Sequence, residues 1–148
     1  MNIDNFIIDS ESNIFIIAEL SANHNGSLDT ALETVKAAKR AGADCIKLQT
    51  YTADTMTINS QNDDFIIKGT IWDGQNLHKL YQEAYTPWEW HAEIMRVAQE
   101  EGLICFSSPF DSSAVDFLEK LNVPAYKIAS FEITDIHLIE YVASKGKP

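Results

Sequence analysis

Cysteine is scarce in this chain: two in 148 residues, Cys45 and Cys105, neither in a CxxC pair. A disulfide scaffold is therefore excluded, and no Cys or His spacing of the zinc-binding kind occurs. Both cysteines sit in apolar, strand-like runs, where the ordinary role is that of a small core residue kept reduced. Positive charge is also short, with 11 Lys and Arg against 22 Asp and Glu and a net charge of -11. Nucleic acid and anionic membrane surfaces need clustered cations, so neither is expected as a partner. Apolar runs are brief, well under the ~18 residues of a membrane span. The start, Met1-Asn2-Ile3-Asp4, lacks the basic flank of a signal peptide. A cytoplasmic location is expected. Hydrophobic residues nevertheless make up 45% of the chain, enough for one folded core.

Three of the apolar runs each carry one ionisable residue toward their C-terminal end. They are Glu19 in Ile14-Phe15-Ile16-Ile17-Ala18-Glu19-Leu20, Lys47 in Cys45-Ile46-Lys47-Leu48-Gln49, and Lys127 in Ala125-Tyr126-Lys127-Ile128-Ala129-Ser130. A buried charge without a partner costs several kcal/mol or more, so such placement calls for an ion pair or a ligand. One bridge would use one lysine, and two are supplied. With a period of two, Glu19, Lys47 and Lys127 share the inner face of their strands at similar heights, and the intervening apolar residues face helices.

The order of elements reads strand, helix, strand, long insertion, helix, strand, helix, strand, helix. Strands are expected near 14–20, 44–50, 103–107 and 124–129. The first helix is capped by Ser27, has Asp29 in its first turn and buries Leu28, Ala31, Leu32, Val35 and Ala38 before Gly42 ends it. The second is announced by Thr86-Pro87-Trp88-Glu89 as a capping box and buries Trp90, Ile94, Val97 and Ala98; the third is capped by Asp111. The fourth is capped by Thr134 and closed by Gly146. Successive βα units with right-handed crossovers make a parallel sheet, and charges on the inner face suit a barrel of the TIM type. Such a barrel needs about 200–250 residues, so four units amount to half of one. Residues 51–85 form an insertion leaving the functional end of the second strand, read as a substrate-covering loop. His24 lies in the first loop; His78 and His91 fit exposed helix positions and His137 a first helical turn.

Taken one at a time, Asn23-His24-Asn25-Gly26 could be a polar turn and Ser107-Ser108-Pro109-Phe110 a loop before a cap. Taken in order, Ile17-Ala18-Glu19-Leu20-Ser21-Ala22-Asn23-His24-Asn25-Gly26, Ala41-Gly42-Ala43-Asp44-Cys45-Ile46-Lys47-Leu48-Gln49-Thr50, Phe106-Ser107-Ser108-Pro109-Phe110 and Pro124-Ala125-Tyr126-Lys127-Ile128-Ala129-Ser130 closely resemble the sialic acid synthase family. Trp72-Asp73-Gly74 and Tyr85-Thr86-Pro87-Trp88-Glu89-Trp90-His91 look most like its pseudaminic acid synthases.

The resemblance implies a TIM-barrel enzyme of nonulosonic acid biosynthesis. It would condense phosphoenolpyruvate with an N-acylated amino-sugar aldehyde to a nine-carbon α-keto acid, releasing phosphate. By matching position, Lys47, Ser108, Lys127 and Ser130 would hold the phosphate and carboxylate of phosphoenolpyruvate. Glu19 would orient or deprotonate the attacking water, and Gln49, Glu132 and His24 would contact sugar or intermediate. A divalent metal, typically manganese, would polarise the aldehyde. Its histidine ligands match no residue of these 148, nor does the family's antifreeze-like domain, which reaches into the partner's site in a homodimer. The segment alone is expected to be inactive. Two other readings stay open: a non-catalytic half-barrel that binds an anion or self-associates through open sheet edges, and an aldolase with Lys127 as Schiff base.

Overall fold

The structure is a computed structural model that describes residues 1–11 and 14–148. Two short strands, β1 (Asn2–Ile3) and β2 (Phe6–Ile7), pair as an antiparallel hairpin. Asp4 takes the left-handed turn position at φ 51°. Next come β3 (Ile17–Glu19), α1 (Leu28–Arg40), β4 (Cys45–Thr50), the four-residue α2 (Ala53–Met56), α3 (Leu77–Ala84) and α4 (His91–Glu100). The chain continues through β5 (Ile104–Pro109), α5 (Ser112–Lys120) and α6 (Ile136–Ala143).

β3, β4 and β5 form a parallel sheet in that order, with Glu19 opposite Lys47, Lys47 opposite Phe106 and Gln49 opposite Ser108. β4 and β5 are each reached through helices, which fixes the parallel direction. Alternation sorts the side chains as expected. Ile46 and Leu48 join Leu20, Ala31, Val35, Ile94, Val97 and Ala98 in the layer between sheet and helices. Cys45 lies on the other face with Ile104, Phe106, Ala125 and Ile3. The amino-terminal hairpin thus supplies Ile3 to the inner layer, a role its two-residue strands did not announce. The two cysteines occupy opposite faces of the sheet, free and buried. Burial pushes the Cys45 thiol up to about 12 and raises that of Cys105 too, which makes both poor nucleophiles.

Helix ends follow local chemistry. Ser27 accepts from Thr30 N at 3.3 Å, and Asp111 from Ser113 N at 2.6 Å and Ala114 N at 3.1 Å. Three expectations need correction. Thr86 does not cap a helix: residues Trp88–Trp90 make a 3₁₀ turn, and α4 starts only at His91. α6 is capped by Asp135, which accepts from Leu138 N at 3.0 Å, one residue beyond Thr134. The fourth strand is reduced to a single parallel bridge, Ser107 to Tyr126. Lys127 N donates to Ser107 O at 3.2 Å, whereas Tyr126 N turns to Pro148 O at 3.0 Å, so a ladder does not propagate.

Candidate anion site at the strand ends

β3 and β4 bring Glu19 and Lys47 together as direct register partners, with Oε1 and Nζ 3.1 Å apart. The two ends differ in setting. The Lys47 side chain is 4% exposed and that of Glu19 58%. A buried ammonium therefore meets a carboxylate that still faces water, and the carboxylate retains acceptor capacity for a further group.

Ser108 stands next along the inner face of β5, opposite Gln49. It is fully buried, and its hydroxyl has no hydrogen-bond partner among the described residues. Leaving a buried hydroxyl unpaired costs about 1–3 kcal/mol, so this atom is set against stability. The bridge from Ser107 to Tyr126 puts Lys127 in register with Ser108. Its neighbours on either side divide between layers: Ala125 packs inward with Cys45, Tyr126 and Ile128 against α5 and α6. Alternation therefore turns Lys127 inward. Lys127 is half-buried, and among the described residues no ion pair engages it. The expectation of equal heights needs adjustment here. Glu19 and Lys47 share a level, but Lys127 stands two residues further toward the mouth, about 6–7 Å along the strand direction.

Ser130 and Glu132 lie in the 3₁₀ turn Ser130–Glu132 that follows. Ser130 is exposed. Burial raises the Glu132 carboxyl, with Asp135 adding to the effect. Above this rim, Tyr51, Phe110 and Ala129 form a small apolar cluster with Tyr81 and Tyr85 packed on it. The 51–85 excursion thus returns over the strand ends through α3. It is tied down by His78 Nε2 and Asp54 Oδ1 at 2.7 Å, and by Trp88 Nε1 donating to Tyr51 O at 3.1 Å. Burial raises the Tyr81 hydroxyl, and Glu132 acts on it in the same direction. Tyr81 and Tyr51 were missed in the sequence, where an aromatic on a helix inside an insertion gives no sign of its destination.

The histidines fall differently from expectation. His24 is buried with its ring edge-on to Trp90, centroids 5.4 Å apart, and its Nδ1 accepts from Gly26 N at 3.1 Å. Trp90 packs in the helix layer, and His24 stands against it. Its Nε2 is buried without a partner among the described residues, and burial lowers its pKa. His78 and His91 are buried, not exposed; His137 is exposed at the start of α6. His91 lies three and seven residues before Ile94 and Ala98, on their apolar face, a signal the sequence did contain. Among the described residues no three His, Cys, Asp or Glu side chains gather as a metal-holding group, so the donor set does not fit a divalent metal. No helix among them is long and apolar enough to cross a membrane.

The chain as a whole is similar to known proteins. The chain is 55% identical over all 148 residues to the pseudaminic acid synthase of Campylobacter jejuni, and 58% identical over 133 residues to that of Helicobacter pylori. It spans 43% and 39% of those proteins, well under half of either. A crystal structure of N-acetylneuraminic acid synthetase from Leptospira borgpetersenii, in complex with citrate, superposes with a TM-score of 0.83 at 27% identity. The likeness covers 99% of this chain and 47% of that one, which makes the present fold an α/β arrangement of the TIM-barrel type, about half a barrel long. Residues 34–148 match the NeuB family, and the chain belongs to it.

Proposed function

We propose that this chain supplies the phosphoenolpyruvate-binding part of a nonulosonic acid synthase, in which phosphoenolpyruvate condenses with an N-acylated amino-sugar aldehyde and phosphate is released. The high identity to two pseudaminic acid synthases favours a pseudaminic-type product. One observation carries the reading: the inner face of the strand ends holds a buried ammonium at Lys47 and, unpaired among the described residues, the Lys127 ammonium and the Ser108 hydroxyl. Phosphoenolpyruvate bears a carboxylate and a phosphate on a three-carbon frame. Two ammonium groups at different heights suit two anionic ends better than one, and charge-assisted bonds from them are the strong kind. That a structural relative was obtained with citrate, another compact polyanion, agrees with the class of ligand.

In this reading Lys47 and Ser108 hold one anionic end and Lys127 the other, with Ser130 closing over it from the turn. Glu19 fixes the Lys47 ammonium and, through its water-facing oxygen, orients or deprotonates the water that adds to the phosphate-bearing carbon once the neighbouring methylene has attacked the aldehyde, after which phosphate leaves and the ketone forms. Gln49 and Glu132 stand further out, where the sugar or the intermediate would lie. A divalent metal, manganese in the family resemblance, would have to be held by residues outside the described donor set, and no step is derived through one. The segment by itself is not expected to turn over, and a homodimer is the expected form of the longer enzyme.

Isothermal titration of phosphoenolpyruvate into the chain tests the reading. Binding that K47M abolishes supports it. No binding, or binding indifferent to Lys47, contradicts it. An aldolase using Lys127 as Schiff base would instead give a borohydride-trapped adduct with a keto acid, and none is expected.

A further inference from the structure

We infer that Thr50, Ser107 and His91 are positioning residues for the anion site, acting from the opposite face of the same two strands. The inference rests on the phosphoenolpyruvate reading above and extends it to residues that touch no substrate.

Thr50 Oγ1 lies 2.9 Å from His91 Nε2 and 2.7 Å from Ser107 Oγ, and His91 Nδ1 lies 3.2 Å from Pro87 O. All three side chains are 1% exposed or less. A carbonyl oxygen only accepts, so Nδ1 carries the hydrogen toward Pro87. Burial lowers the His91 pKa to about 4, against the backbone groups of Pro87, Trp88 and Gln49, which raise it, so the ring is neutral and Nε2 accepts. Thr50 then donates to Nε2, which leaves its oxygen to accept from Ser107.

The consequence reaches the other face through the backbone. Ser107 and Ser108 are consecutive in β5, as are Gln49 and Thr50 in β4. In a strand, consecutive side chains point to opposite faces, and a residue rotated out of place turns its neighbour with it. Holding Ser107 to Thr50 beneath the helices therefore holds Ser108 toward the inner face, where its hydroxyl finds no partner among the described residues. Holding Thr50 to His91 does the same for Gln49. His91 also opens α4, just past the Trp88–Trp90 turn that follows the 51–85 excursion, and is bonded to Pro87 at the start of that turn, so the network joins the return of the excursion to the strand ends.

Three variants test this by phosphoenolpyruvate titration and thermal unfolding of the same chain, with S108A as reference. T50V keeps the shape of threonine but strands both neighbours of its hydroxyl; S107A removes only the last link and remains available if T50V fails to fold; T50S keeps the hydroxyl. T50V and S107A are expected to weaken binding about tenfold, with T50S restoring it, and S107A should leave the thermal midpoint nearly unchanged. If S108A weakens binding but S107A and folded T50V bind as the unsubstituted chain does, the network is structural only and the inference is overturned. If S108A binds normally, or the unsubstituted chain does not bind, the phosphoenolpyruvate reading itself falls and takes this one with it.

Discussion

Along β4, residues 46, 48 and 50 face the helices, and residues 45, 47 and 49 face the interior of the curved sheet. The polar groups at the carboxyl end of the helix side are satisfied by one another, Thr50 by Ser107 and His91. Those at the same end of the inner side are not: Ser108 Oγ has no partner among the described residues, and Lys127 no ion pair. Both faces are built from neighbouring residues of the same strands, so local propensity does not explain the difference. A fold that closes the Thr50, Ser107 and His91 bonds on one face and leaves Ser108 open one residue away on the other is holding Ser108 for something else.

The contrast can be broken from either side. The largest effect should come from the helix side, where L48A empties part of a close-packed layer. It should cost about 2–5 kcal/mol in chemical denaturation, while any protein that remains folded keeps its anion affinity. Acid comes next. His91 is held neutral when folded, with its pKa lowered to about 4 from 6.5. The unfolded chain therefore binds the extra proton between those values. The stabilisation is complete above pH 6.5 and is lost as pH falls toward 4, by roughly 3 kcal/mol in all. His24, also lowered by burial, acts in the same sense. Urea midpoints at pH 7 and 4.5 should differ less in H91Q than in the unsubstituted chain; an equal slope would show that His91 is not the group responsible.

On the inner side, K47M should weaken phosphoenolpyruvate binding about 100-fold, the worth of charge-assisted bonds to one ammonium. It should change stability little, because methionine fills the buried volume and the Glu19 carboxylate it leaves behind, 58% exposed, stays solvated. Unchanged affinity would reduce the Glu19–Lys47 pair to a structural bridge. S108A is the smallest change. Removing a hydroxyl that has no partner among the described residues should raise stability, by up to about 1–3 kcal/mol, and still weaken binding about fivefold to tenfold. A marked loss of stability would mean that this hydroxyl already has a structural partner.

Much of this architecture could be read before any coordinates. The inward face of Lys47 followed from period two, and Ser27 and Asp111 capped their helices because short polar side chains before apolar periodicity have little else to do. What escaped reading depended on partners distant in sequence. The amino-terminal hairpin has two-residue strands that carry no periodicity of their own. The segment around Lys127 reads as a strand from its apolar run, yet a strand is defined by neighbours, and here it has one bridge. His91 was taken for a surface residue because polar side chains on helices usually are; Thr50 and Pro87, which make its burial tolerable, lie 41 and 4 residues away. Within the site, residue types and strand positions were legible. The relative height of Lys127 and the return of Tyr81 over the rim were not, since both are set by register and by the path of a long excursion.

Lys127 offers the most direct test of the central claim, because among the described residues no ion pair holds it and its removal should not disturb the fold. The measurement is phosphoenolpyruvate affinity of K127M against the unsubstituted chain, by isothermal titration, with thermal midpoints taken alongside. Binding weakened by about 100-fold at an unchanged midpoint is the expected result. Equal affinity in the two proteins would contradict the claim that both lysines serve one anionic ligand.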